Sequence, residues 1–109
     1  MAVARVLSFR ILPGREADVQ ECLLALDQLQ RQAEGYSCRV TFRSVADPRH
    51  IKIVVIWEDK HHADAFALEE ATVAHMSHIK AVSDEVPIPP GEYDIISSDP
   101  PDLIARHRG

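Results

Sequence analysis

Residues Ile51 to Trp57 read Ile-Lys-Ile-Val-Val-Ile-Trp, apolar at every position except Lys52. A run this short and this rich in β-branched residues is a strand. A strand apolar on both faces has to be covered on both faces. Helices of the same chain can cover only one of them, so this segment already calls for a second layer from elsewhere.

The rest of the chain supplies the first layer. Ala2 to Ile11 alternates, with Leu7, Phe9 and Ile11 on one face and Val6, Ser8 and Arg10 on the other. Pro13-Gly14 ends it as a turn. From Arg15 to about Ala33 the period becomes helical. Val19, Cys22, Leu23, Leu26, Leu29 and Ala33 make one stripe, and Glu16 and Asp18 sit in the first turn, where the helix dipole favours acids. Gly35 suits the C-terminal cap. Tyr36 to Arg43 alternates again, with Tyr36, Cys38, Val40 and Phe42 expected on one face. Ala46-Asp47-Pro48 turns the chain into the apolar strand. Glu58 to Glu70 predicts a helix with Ala63, Phe66 and Ala67 inward. After a break near Ala71, Thr72 to Glu85 predicts another, with Val73, Met76, Ile79 and Val82 as its stripe. The proline-rich stretch Val86 to Gly91 is a connector. Glu92 to Ser97 is a last strand.

The order is β-α-β-β-α-β, the ferredoxin-like α+β arrangement. Both helical segments then lie on one face of a four-stranded antiparallel sheet. Val6, Val54 and Ile56 project from the other face, where a symmetric dimer, sheet against sheet, would cover them. One domain over residues 1–98 and a C-terminal tail over 99–109 complete the organisation.

Charge narrows the partners. The formal net charge is −5 and the pI near 5.6, which argues against nucleic acid and anionic membrane surfaces. No apolar run approaches the roughly 18 residues of a membrane span. Arg5 and Arg10 interrupt the N-terminal apolar stretch, so it does not read as a signal peptide. Cys22 and Cys38 have no metal or redox spacing and are expected to be reduced thiols in the cytoplasm.

Several local features occur together: Phe9, Pro13-Gly14 opening the first helix, Glu34-Gly35-Tyr36 opening the second strand, and Asp47-Pro48 in the hairpin. Val54-Val55-Ile56-Trp57-Glu58 and then His75 follow. Over Val3 to about Ser98 the chain resembles the antibiotic biosynthesis monooxygenase (ABM) superfamily of dimeric α/β barrels. The resemblance implies a homodimer and a pocket between each sheet and its helices. It also implies oxidation of aromatic polyketides or quinols by molecular oxygen with no metal or flavin. A second branch of that superfamily binds haem and degrades it.

Trp57 shares a strand face with Val55, and the resemblance puts it on the pocket wall. Leu7, Phe9, Phe66, His78 and Ile79 are expected beside it as substrate-binding residues. His75 is the candidate catalytic base. It also follows Trp57 at the spacing at which the haem-degrading branch carries its iron ligand, so haem with His75 as axial ligand is the alternative cofactor reading. Two departures weigh against haem degradation. Leu7 stands where that branch has Asn, and Phe66 is the aromatic nearest to its second Trp. Arg5 has the parity to reach the pocket as an anion partner, whereas Arg39 has the parity to face away from it. Tyr36 is a candidate hydrogen-bond donor. His61 and His62 diverge on a helix and cannot chelate one ion together, so no metal site is expected. No phosphate-binding glycine loop or nucleophile elbow is present. Three functions follow: a cofactor-independent monooxygenase for a small aromatic or quinol-like compound, a haem-binding protein, or a non-catalytic dimeric domain that binds a small apolar ligand.

Overall fold

Turn chemistry and hydrophobic period together set the element order. In the computed structural model, which describes residues 1–84 and 91–99, the elements are β1 (Val3–Ile11), α1 (Glu16–Gln32), β2 (Tyr36–Arg43), β3 (His50–Trp57), α2 (Lys60–Leu68), α3 (Glu70–Ala81), β4 (Ser83–Asp84) and β5 (Gly91–Asp94). Gly14 and Gly35 take positive φ, 82° and 85°, where the chain leaves β1 and enters β2. A side chain at Gly35 would also overlap the ring of His62. Asp59 caps α2, accepting from the His62 amide at 2.9 Å and pairing with its Nδ1 at 2.8 Å. The His62 amide is the first of the contacts that hold the Asp59 carboxyl below its usual range.

The sheet runs β2-β3-β1-β4 with β5 also on β1, all pairings antiparallel and the sheet open. β4 and β5 share one edge of β1. β4 meets Arg10 and Ile11, and β5 meets Val3 to Val6. The helix expected to run on to Glu85 therefore stops at Ala81, and the last strand is split. The pairing of Ser83 and Asp84 with β1 is a tertiary contact that no local period encodes. The connector lies almost wholly outside the described residues, as does the tail beyond Asp99. No helix among the described residues is long and apolar enough to cross a membrane.

Val3, Phe9 and Ile11 of β1 and Ile51, Ile53, Val55 and Trp57 of β3 pack on the helices with Val19, Cys22 and Leu26 of α1, Phe66 of α2 and Ile79 of α3. One expectation is corrected here. A β-bulge between Tyr36 and Cys38 shifts the register of β2 on β3, so that Arg39, Thr41 and Arg43 pair with Val55, Ile53 and Ile51. The extra residue inverts the alternation beyond it. Arg39 turns to the helix side, and Cys38, Val40 and Phe42 turn to the outer side with Val54 and Ile56. Val40 and Phe42 are 51% and 50% exposed there.

Candidate functional site

A cavity of about 140 Å³ lies between the helix side of the sheet and the helices. Leu7, Ile53, Val55 and Trp57 line it from the sheet, Leu23 and Leu26 from α1, Phe66 from α2 and Met76 from α3. The inward parity of β1 and β3 and the stripe of α1 put these side chains there. Trp57 is held from two sides. Phe66 lies 5.1 Å from it, centroid to centroid, tilted by 37°, and Tyr36 meets it edge-on at 6.0 Å.

Two arginines reach the wall, and both are matched by acids. Arg39, turned inward by the bulge, pairs with Asp27 of α1 at 2.9 Å, and Arg31 meets the same carboxylate at 3.2 Å. Arg5 bridges Asp64 of α2 and Glu92 of β5, with its Nε donating to Glu92 at 2.7 Å. Lys60 closes that cluster at 3.3 Å from each acid. Burial opposes the charge of Arg5, but the hydrogen bonds to Asp64 and Glu92 outweigh it and raise its pKa. The same hydrogen bonds from Arg5 hold both carboxyls below their ordinary values. Burial pushes the Tyr36 phenol up, with Arg39 opposing.

Gln30 of α1 and Thr72 of α3 complete the lining and are buried at 8% and 4% exposure. Neither was a candidate in the sequence, because polar residues are discounted when an apolar stripe is traced. The signal was present as spacing. Gln30 continues the stripe of Leu23 and Leu26, and Thr72 lies one turn before Met76 and two before Ile79.

The structure brings Trp57, Val55, Leu7 and Phe66 together at the cavity, and Arg5 with them. It places the other candidates elsewhere. Phe9 and Ile79 are wholly buried in the core and do not line the cavity. His78 is on the exposed side of α3. His75 is half-buried between α3 and α1, its Nδ1 3.6 Å from Cys22 Sγ, and the Cys22 thiol donates to its carbonyl at 3.3 Å. Burial, with Glu21 assisting, pushes that thiol's pKa up, which disfavours the thiolate. Haem does not fit this arrangement. The histidine at ligand spacing faces Cys22 and is not among the residues that line the cavity. Among the described residues no group of three or more His, Cys, Asp or Glu could hold a metal ion.

No protein-family model and no curated protein matches the chain. Solved structures match in fold. SnoaB, a cofactor-independent oxygenase from Streptomyces nogalater, superposes with a TM-score of 0.79 at 14% identity, over 91% of this chain and 97% of that one. A candidate antibiotic biosynthesis monooxygenase from Bordetella bronchiseptica gives 0.72 at 21% identity, over 87% and 97%. Rv0793 from Mycobacterium tuberculosis gives 0.80 at 11% identity, over 90% and 98%. The chain has the ferredoxin-like fold of the ABM-type structures.

Proposed function

We propose that the protein is a cofactor-independent oxygenase of the ABM type that acts on a small aromatic or quinol-like compound. The observation that carries this reading is the apolar cavity walled by Trp57 and Phe66, on a fold shared with an oxygenase that needs no cofactor. In such a reaction the substrate supplies every electron. One atom of O2 enters the ring system and the other leaves as water, so no reductant has to be bound. The chain's part is to hold the ring out of water and to favour the anion that develops as an electron passes to oxygen. Arg39 supplies positive potential for that step, because it and Arg31 share the single carboxylate of Asp27 and so leave one positive charge in excess. His75 is not assigned the base here, since its ring nitrogen meets Cys22.

The second part of the proposal is a homodimer through the outer sheet face. Val40, Phe42, Val54 and Ile56 form a contiguous apolar surface there, and a two-fold partner presents the same surface in return.

Oxygen uptake with a panel of hydroquinones, phenols and anthrones tests the oxygenase reading. Uptake above the uncatalysed rate is expected, reduced at least tenfold in Trp57→Ala. A protein that binds these compounds yet consumes no oxygen is a binding domain, and the oxygenase reading fails.

A further inference from the structure

The two arginines on the cavity wall differ in how their charge is met. Arg5 and Lys60 face Asp64 and Glu92, so that side is balanced. On the other side Arg39 and Arg31 share the carboxylate of Asp27, which leaves one positive charge in excess. Asp27 meets Arg39 at Nη2. Nε and Nη1 of Arg39 hold no hydrogen bond with any described residue, and neither is among the bare polar atoms sealed inside the fold, so both keep accessible surface. The excess acts on the wall. Burial raises the pKa of the Tyr36 phenol, and Arg39 lowers it by more than Asp27 raises it. The sheet sets where this charge stands relative to the aromatic side. Arg39 pairs with Val55, and Trp57 lies two residues further along β3 on the same face. Such diagonal neighbours are about 7–8 Å apart. Arg39, Val55 and Trp57 all line the cavity.

We propose that the cavity binds a small aromatic acid, with its ring against Trp57 and Phe66 and its carboxylate on Arg39. Each half of the ligand answers one half of the wall. Trp57 and Phe66 stand 5.1 Å apart, centroid to centroid, and offer apolar faces to a ring. A planar guanidinium with unused N–H groups is the natural partner of a carboxylate. One excess charge matches a monoanion, whereas a phosphate dianion would leave negative charge over. A neutral ring gains no ion pair at Arg39, and an ammonium is repelled by it. The inference narrows the substrate class of the oxygenase reading and rests on that reading for the reaction, where a ring hydroxyl is oxidised, though not for the binding. A guanidinium has more N–H donors than Asp27 and one ligand carboxylate take up, so donors remain for the anion that develops during that reaction.

The test is binding, measured by calorimetry or NMR titration of the intact chain with benzoate, benzamide, phenol and acetate. Benzoate is expected to bind about tenfold more tightly than the neutral rings benzamide and phenol, because a hydrogen bond to a charged group is worth more than one between neutral groups. Acetate, which has the charge without the ring, is expected to bind at least about tenfold more weakly than benzoate. Arg39→Met is expected to abolish the preference for benzoate over benzamide while leaving benzamide within about twofold, and Arg39→Lys to keep part of the preference. Benzamide binding the wild type as tightly as benzoate overturns the proposal, and so does benzoate that fails to bind at millimolar concentration. Acetate binding as tightly as benzoate also overturns it, since the anion then sits in the surface groove beside Arg31 and Arg39 rather than in the cavity. An equal loss of benzoate and benzamide in Arg39→Met has the same force. The wild-type comparison needs no variant to fold. A preference for benzoate without oxygen uptake from any hydroquinone leaves this inference standing and removes the oxygenase reading. Oxygen uptake with hydroquinone and no preference for benzoate does the reverse.

Discussion

The Arg39–Asp27 pair is the sharpest test of how the cavity wall is built, because it exists only if the bulge at Ser37 turns Arg39 inward. The two side chains are 18% and 13% exposed and 2.9 Å apart. At an effective dielectric of about 20, two unit charges at that distance attract by roughly 6 kcal/mol before desolvation is counted. Desolvation removes most of that, so the net coupling is expected to be about 1–3 kcal/mol. Asp27→Asn leaves Arg39 and Arg31 without their shared carboxylate, and Arg39→Met leaves Asp27 to Arg31 alone. Each single change is expected to cost about 2 kcal/mol, or a fall in Tm of about 10 °C. The double variant is expected to cost less than the two single changes combined. Urea unfolding of all four proteins at one protomer concentration gives the cycle. Because the pair is mostly buried, its coupling should survive 0.5 M salt, which screens exposed pairs. Strict additivity would mean that the two side chains do not meet. The inversion of β2 beyond Ser37 would then be refuted, and with it the positive wall of the cavity.

Ile79 is core rather than cavity lining, so Ile79→Ala should lower unfolding free energy by about 2–5 kcal/mol while phenol still binds the folded fraction with unchanged affinity. Asp64 and Glu92 titrate below their ordinary values because Arg5 hydrogen-bonds to them. Their stabilisation is therefore present above about pH 4 and is lost as pH falls through the depressed folded values. The gap in Tm between wild type and Arg5→Met should close on acidification, and a gap that persists to pH 2 would contradict the assignment. Val54→Asp on the outer face should convert a sedimenting dimer into a monomer. A wild type that sediments as a monomer at micromolar concentration would remove the sheet-to-sheet proposal.

Strong local periods made much of the fold legible. The limits of β2 and the stripe of Val19, Cys22 and Leu26 in α1 follow from periods of 2 and 3.6 that the sequence carries intact, and the inward set of β3 follows from parity with Trp57. What escaped was long-range or polar. The bulge inserts one residue into a strand whose alternation continues unbroken on either side, so the shift has no compositional mark, and Arg39 is assigned to the wrong face. Val73 outranks Thr72 on any hydropathy scale, yet Val73 is 49% exposed and Thr72 is buried. The phase of α3 is set instead by its docking on α1 through Met76, Ile79 and the His75–Cys22 contact. His75 drew attention by its spacing from Trp57. A helical position fixes a height along the axis, whereas the side a residue faces is decided by the neighbouring helix.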